Sequence, residues 1–528
     1  MTVAITHTVS LQGTLGHLID VQADVSSGQV ALNLVGRPDA SLNEAKERCR
    51  MAVLNSGVDW PSAKRITILL SPSDLKKRGT HFDLAIAVAV VAASADKPLA
   101  GLAGTVMIGE LTLTGGLRSV PGVLPMVLAA QARGHRRVIV PEPQAREAAM
   151  VPGMEVLGFR SLGQVLAELA GEEVPDAPPV APMSAQRLLS WRGQDRQEES
   201  DLADLKGMQD ARFAVEVAAA GGHHLMLSGP KGSGKTSLAE RISGVLPDLG
   251  TEEMLELTAL HSLAGALEPG DDLIRRPPFS APHHSSSKAA LLGGGSGRVR
   301  PGELSRAHGG VLFLDEFPLL ASDVIEALRQ PLESGEVTIA RGDETATFPA
   351  RAMVVLAANP CPCGDFSLRQ HLNRCTCREA ARRDYRRKLT GPMLDRVDIL
   401  RHVEPLTKPE ARDPLAKRES SADVRQRVTA ARSRQASRFE GRGWRLNAQV
   451  PGPQLVAEWR LTDAATRRLE DELYAGRVTF RGVVRVHRLA WTLADLRNVD
   501  QPGLDELETA LRLRSGEPLL AATLERAG

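Results

Sequence analysis

Apolar positions along the chain follow two rhythms, and the change from one to the other marks the elements. Short, mostly apolar runs at Ile66–Leu70, Arg137–Val140, Leu225–Leu227, Val311–Leu314 and "MVVLAANP" (353–360) read as buried strands. Ala-rich stretches between the first of these read as helices. The longest, "DLAIAVAVVAASA" (83–95), is too short and too rich in Ala to cross a bilayer, so a core helix is expected. Further on, Val424–Phe439 and Phe480–Leu496 carry apolar residues at helical spacing. Two polar stretches break the pattern. "GEEVPDAPPVAPMSAQ" (171–186) has four prolines among few bulky apolar residues and reads as a linker. "LTKPEARDPLAKRESSAD" (406–423) leads into the helical end of the chain. We find no internal repeat and no heptad.

The pattern predicts an α/β protein with an α/β block at 1–170, a Pro-rich linker at 171–199, a strand-bearing core at 200–405 and a helical block at 406–528. Length agrees, since 528 residues exceed what one hydrophobic core organises and suit about three domains. At 42% hydrophobic and 24% charged, the composition is that of a globular protein. The net charge of +1 neither requires nor excludes nucleic acid, so any such surface must be local. The opening "MTVAITHTVS" lacks the basic start and apolar core of a signal peptide, and a cytoplasmic location is expected.

Chemistry enters at "LMLSGPKGSGKTSLAE" (225–240), where the strand breaks into a glycine-rich turn and restarts as a helix near Thr236. The loop Gly229, Pro230, Lys231, Gly232, Ser233, Gly234, Lys235, Thr236, Ser237 is a Walker A pattern whose backbone amides and helix start suit a triphosphate. Lys235 is expected at the β and γ phosphates of ATP, and the Thr236 hydroxyl on Mg²⁺. Downstream, "GGVLFLDEF" (309–317) delivers Asp315 and Glu316 at a strand's C-terminal end. As a Walker B pair, Asp315 would hold Mg²⁺ and Glu316 would orient and deprotonate the attacking water. Asn359, at the end of the strand "MVVLAANP", is placed to help position that water.

Four of the five cysteines form two close pairs, Cys361-x-Cys363 and Cys375-x-Cys377. Paired thiols without an oxidising compartment point to metal, zinc first, although the usual zinc spacing is two residues between cysteines. Reduced structural thiols are the other reading.

The stretches "LKKRGTHFDLAIAVAVVAAS" (75–94) and "MIGELTLTGGLRSVPGVLPMVLAAQARGHRRVIVPE" (107–142) resemble the protease domain of Lon peptidases over roughly residues 10–170. Those enzymes need a serine activated by a lysine. Here the serine position is His81 and the lysine position is Leu124. The resemblance therefore implies a Lon-protease-like α/β domain without the catalytic dyad.

The central block resembles AAA+ ATPases, in which an arginine in an L-D-R-x-D setting reaches a neighbouring subunit's ATP. In "GPMLDRVDI" (391–399) this is Arg396, which implies a ring, a hexamer by family habit. "VTFRGVVRVHRLAWTLADL" resembles the AAA+ lid helix whose arginine senses nucleotide, at Arg481, although the usual Ser-Ala-Arg is Thr479-Phe480-Arg481 here. "RPPFSAPHHSSSKAALLGGGSGRVRPGELSRAHGGVLFLDE" and "LESGEVTIARGDETATFPARAMVVLAANPCPCG" narrow the likeness to the YifB/ComM family of magnesium-chelatase-like ATPases, from about residue 10 to 515. That likeness implies an ATP hydrolase working as a ring helicase on DNA, promoting branch migration in natural transformation. Partners would be single-stranded, duplex or branched DNA and further copies of the chain.

From the residues alone, two turn-centred insertions could reach a ring pore: "GGGSGRVRPGE" (293–303) with Arg298 and Arg300, and "VTIARGDETATF" with Arg341. Residues 365–401 hold ten Lys/Arg against five Asp/Glu, suited equally to phosphates or to a subunit face. Aromatic content of 3% disfavours base-stacking platforms, so any DNA grip is expected to be ionic and indifferent to sequence. The competing readings are an ATPase that remodels protein partners and a chelatase motor subunit. The chain lacks the D-x-S-x-S metal-adhesion motif of chelatase partners.

Overall fold

The computed structural model describes residues 3–95, 99–181, 200–295, 299–341, 344–366, 373–389, 393–406 and 418–525. The protein is mixed α/β, with two sheets in sequence and a helical C-terminal region, as the sequence predicts.

The first unit is built on β1 (Val3–Gln12), β2 (Leu15–Ser26), β3 (Ala31–Val35), β4 (Arg65–Ser71), β5 (Thr105–Met107), a small hairpin of β6 (Glu110–Leu111) and β7 (Leu117–Arg118), β8 (Arg137–Pro141) and β9 (Glu155–Phe159). Seven of these form one sheet in the order β3-β4-β2-β1-β5-β8-β9. β1 and β2 are an antiparallel hairpin in register from Val3↔Asp24 to Gln12↔Leu15, and β5, β8 and β9 add in parallel. The helix Asp83–Ser94 buries Asp83 through Val91, and Ala93, on one face of the sheet. Such burial all round explains why its sequence shows no amphipathic stripe. Helix Val123–Ala132 covers the other face. The two positions that matter in Lon-type chemistry are packing positions. His81 is buried with Nε2 2.8 Å from the Val9 carbonyl, and Leu124 is fully buried.

The second unit holds β10 (Leu225–Ser228), β11 (Phe279–Ser280), β12 (Gly293–Gly294), β13 (Arg300–Pro301), β14 (Val311–Leu314), β15 (Glu336–Arg341), β16 (Glu344–Pro349), β17 (Met353–Ala358) and β18 (Ile399–His402). Five make an all-parallel sheet in the order β11-β14-β17-β10-β18. β12 with β13, and β15 with β16, are two antiparallel hairpins outside it. Parallel strands covered on both faces need apolar residues at every position, which is why Val311–Leu314 is an unbroken run.

Helices Ser421–Arg438 and Phe480–Arg497 pack on the core helix Gln209–Gly221, and all three share one hydrophobic cluster with β10 and β17. The lid and the sheet therefore have a common core. A buried ion cluster pins them: Asp398, two residues after Arg396, accepts from Arg485 of the lid helix and from the His224 amide at 2.9 Å. Burial alone would raise the pKa of Asp398, but Arg485 and the His223–His224 pair hold it well below the usual carboxylate range.

Among the described residues, the first unit touches the second chiefly at two faces, with an exposed Arg146–Asp272 ion pair (2.7 Å) besides. Helix Thr251–Ala264 packs on Val123–Ala132, with Ser262 Oγ donating to the half-buried Glu147. The tip of the β1–β2 hairpin meets β16, with Gln12 Nε2 2.9 Å from the Thr345 carbonyl. Most of the Pro-rich linker (182–199) and of the second polar stretch (407–417) lies outside the described residues. Among the described residues, no helix is long and apolar enough to cross a membrane.

Candidate functional site

The C-terminal ends of β10, β14 and β17 converge, and the predicted nucleotide residues stand there. After β10 the chain must turn at once against the loop following β18. A Cβ at Gly229 would lie 2.2 Å from the Val403 carbonyl, so only glycine fits. Pro230, Lys231, Gly232, Ser233 and Gly234 carry the loop to the helix Lys235–Glu240, in which Thr236 and Ser237 lie. Lys235 is buried. Its Nζ donates to the carbonyls of Gly229 (2.8 Å) and Pro230 (2.9 Å) and to Asn359 Oδ1 (3.1 Å). Burial pushes its pKa down, and the carboxylates of Asp315 and Glu316 oppose that shift. An ammonium held by neutral carbonyls in a buried loop lacks a full counterion, which is what a phosphate group supplies.

Thr236 Oγ1 donates to Asp315 Oδ2 at 3.1 Å, so the hydroxyl and carboxylate expected to share Mg²⁺ already face each other. Asp315 Oδ1 accepts the Glu316 amide at 2.8 Å. Glu316 itself sits at φ +47°, a left-handed conformation that costs a non-glycine residue about 1–2 kcal/mol. This turns its carboxylate off the strand axis toward His284, whose Nδ1 is 3.5 Å from Oε2. His284 in turn lies against His283, with ring centroids 4.0 Å apart.

Sequence reasoning missed two residues here. His284 comes from the loop after β11, where the doubled histidine was the available signal. Tyr385 comes from the helix Glu379–Leu389 and is buried beside the Asn359 backbone near Glu316 and Asp315. Its pKa is pushed up to about 12, by burial first, with the Asn359 backbone pulling the other way. No spacing rule could have placed it.

The two arginines expected to face phosphate both reach one carboxylate of this chain. Arg396, with its side chain 11% exposed, bonds through Nε to the Arg329 carbonyl and through Nη2 to Glu333 Oε1, both at 3.0 Å. Arg481, at the start of the lid helix behind the N-cap Thr479, has Nη1 3.8 Å from the same Glu333 oxygen.

The four paired cysteines converge. Their sulfurs all lie within 4.8 Å of one another. Individual separations are 3.3 Å (Cys361–Cys363), 3.6 Å (Cys363–Cys375) and 3.5 Å (Cys375–Cys361). This cluster could hold a metal ion, and it adjoins the nucleotide residues. Cys361 follows Asn359 by two residues, and the turn ending at Gly364 lies against Lys231.

The two insertions come together. Val299 of the first and Ile339 of the second pack in one small cluster with Leu11 of the first unit, Ala346 and Phe348. Arg300 and Arg341 are exposed on their strands, and Arg298 lies outside the described residues. The basic stretch 365–401 is not one surface. Arg382 and Arg386 stack on Phe366, each 4.8 Å from the ring centre. Arg401 is buried and donates to the carbonyls of Glu517 and, at 2.7 Å, Arg512.

Comparison with known proteins now bears on this site. Residues 201–411 match the family described as magnesium chelatase, subunit ChlI, residues 21–144 match subunit ChlI of Mg-chelatase, and residues 418–514 match its C-terminal part. An uncharacterized protein of Mycobacterium tuberculosis (strain H37Rv) is 47% identical over 506 residues, covering 96% of this chain and 97% of the relative. The YifB protein of Escherichia coli (strain K12) is 38% identical over 521 residues, 98% of each chain. The competence protein ComM of Haemophilus influenzae is 36% identical over 521 residues, 98% of this chain and 99% of its own.

Proposed function

The chain belongs to the YifB/ComM family of magnesium-chelatase-like, AAA+-type ATPases, and we propose that it is a ring-forming DNA motor promoting branch migration of recombination intermediates. The observation that carries this reading is the pairing of the two hairpins on one apolar cluster, with Arg300 and Arg341 exposed on them. Two adjacent hairpins beside the ATPase sheet, each exposing an arginine, would form a phosphate-gripping element that every copy in a ring repeats.

ATP bound at the loop would supply the phosphoryl group whose transfer to water releases the driving free energy, with Mg²⁺ neutralising charge on the phosphates. Lys235 exchanges its carbonyl contacts for phosphate oxygens, and Thr236 and Asp315 hold the cation. Glu316 takes the proton of the attacking water, and its left-handed backbone sets the carboxylate in place beforehand. Asn359, bonded to Lys235, orients that water. Arg396 reaches the neighbouring subunit's phosphates, and Arg481 brings the lid onto those of its own. Cys361, Cys363, Cys375 and Cys377 would hold a structural zinc, tying the turn after Asn359 to the chain that leads into the Tyr385 helix.

Replacing Arg298, Arg300 and Arg341 by alanine tests the motor. Junction binding should weaken while ATP hydrolysis without DNA persists. On duplex DNA the slope of log affinity against log salt should flatten by roughly 0.9 for each phosphate that an arginine no longer neutralises. Unchanged branch migration with an unchanged slope would remove the hairpins from the DNA path. A wild-type ATPase indifferent to single strands, duplexes and junctions would transfer the reading to a protein-remodelling ATPase.

A further inference from the structure

Glu333 occupies an unusual position. Both candidate phosphate-facing arginines converge on one of its oxygens, Arg396 at 3.0 Å and Arg481 at 3.8 Å. One arginine lies just before β18, in the turn Leu394–Arg396, and the other begins the lid helix, so the carboxylate joins two separate parts of the candidate nucleotide machinery. A polyanionic phosphate chain offers a guanidinium more negative charge than the single carboxylate of Glu333 does, so the two compete for these arginines.

The other side of Glu333 leads to the hairpin. It sits in the short helix Pro331–Ser334, and Gly335 then turns the chain into β15. Gly335 has φ +70°, and a Cβ there would meet Arg351 Cγ at 3.0 Å, so the joint needs glycine. The Gly335 carbonyl accepts the Ala350 amide at 2.8 Å and closes the hairpin's base. Ser334 Oγ spans the same joint, 3.1 Å from the Gln330 carbonyl and 3.0 Å from that of Glu336. A displacement of Glu333 therefore reaches β15 through a hydrogen-bonded joint with little slack. The hairpin's return strand runs by Ala350 and Arg351 into β17, which leads to Asn359 and its bond with Lys235. Both feet of the hairpin are thus tied to the nucleotide residues, and Glu333 is the tie that a competing anion can undo.

We propose that Glu333 is the positioning residue that couples nucleotide to hairpin β15–β16, holding Arg396 and Arg481 until phosphate draws them away. This rests on the reading of those arginines as phosphate-facing. Once they leave, the half-exposed carboxylate is taken up by water at small cost, and a shift of the Pro331–Ser334 segment is passed through the hydrogen-bonded joint to the base of β15.

Hydrogen exchange of the hairpin amides, with and without a non-hydrolysable ATP analogue and Mg²⁺, tests the coupling directly. In the wild type, exchange at 336–341 and 344–349 should change on nucleotide binding. In Glu333→Gln, which keeps the shape and removes the charge, that response should be lost. Arg481→Gln should lose it as well, and the double variant should lose no more than either single one, because both act through one contact. A melting curve establishes that each variant is folded. Should Glu333→Gln fail to fold, the exposed Arg481→Gln carries the same expectation alone. A wild-type response retained in the folded variants, additive losses, or no response in the wild type would each overturn the proposal. The reading beneath it has a separate measure, the ATP turnover of Arg396→Ala. If that equals wild type, Arg396 does not face phosphate, whatever the hairpin does.

Discussion

Removing one sulfur from the cysteine cluster is the perturbation whose size follows most directly from the geometry. A zinc ion bound tetrahedrally by thiolates at about 2.3 Å sets its sulfurs about 3.8 Å apart. The separations of 3.3, 3.5 and 3.6 Å fall short of that edge by only a few tenths of an ångström, so small side-chain rotations admit the ion. Structural zinc binds small folding units with about 10–16 kcal/mol, which shared over four thiolates is about 2.5–4 kcal/mol each. Cys375→Ser should therefore weaken binding by roughly two to three decades. Protein purified without added zinc should contain one equivalent per chain by elemental analysis. The variant should surrender its metal to a chelator that the wild type resists, and cobalt substitution should report tetrahedral sulfur ligation. Less than about a tenth of an equivalent in the wild type, with all four thiols titrating freely, would refute the assignment and leave reduced structural thiols. Because the turn ending at Gly364 lies on Lys231 and the next helix brings Tyr385 to Asn359, the metal-depleted variant should also hydrolyse ATP more slowly.

Glu316→Gln should lower kcat by about 10²–10⁴ while leaving ATP bound, since it removes a base and keeps the Thr236–Asp315 pair. Hydrolysis at the wild-type rate would dismiss Glu316 as the base. Lys235→Ala should lose ATP affinity too, read from equilibrium binding, because it deletes the loop's buried cation. Mixtures of Arg396→Ala and Lys235→Ala chains should regain turnover that neither has alone, since some interfaces will pair an intact loop with an intact finger. No recovery at any ratio, with mixed rings verified by mass, would place Arg396 within its own subunit's site.

Strands β10, β14 and β17 were legible because a parallel strand covered on both faces has no polar positions to blur it. The phosphate loop was legible because its glycines answer to local backbone demands, as the approach of Gly229 to Val403 shows. What the sequence hid were contacts made by packing. His284, Tyr385 and Glu333 each reach their partners from a different element, and no periodicity connects them. Arg401 shows the same limit from the other side. In the sequence it belongs to a basic stretch, yet in the fold it is buried, donating to the Arg512 carbonyl in the last turn of helix Leu504–Ser515 and to the Glu517 carbonyl just beyond it. A cation at a helix C-terminus meets both the unpaired carbonyls and the negative end of the helix dipole. Charge counting along a chain cannot tell such a cap from a surface.

The first unit acquires a mechanical meaning from the same contacts. His81 and Leu124, the positions where the resemblance puts a nucleophile and its base, are both buried in its core. Its β1–β2 tip, by contrast, reaches across to the ATPase hairpins: Gln12 bonds to Thr345, and Leu11 enters the cluster that joins Val299 to Ile339. Besides the apolar cluster it shares with Val299, Leu260 and Leu263, hairpin β15–β16 is held by the Glu333 joint, by strand β17 and by this tip. The hairpin moves as a body only if at least one of these contacts yields. Strand β17 is locked between β10 and β14 by backbone hydrogen bonds, and the tip is part of a ten-pair antiparallel hairpin. Glu333, at the head of the Gly335 joint, is held by a partly exposed ion pair, a weaker restraint than the strand ladder that fixes β17 and the one that nucleotide can compete for. Motion driven by nucleotide should enter the hairpin at Glu333 and pivot about the tip, which makes the first unit a fulcrum rather than a passenger.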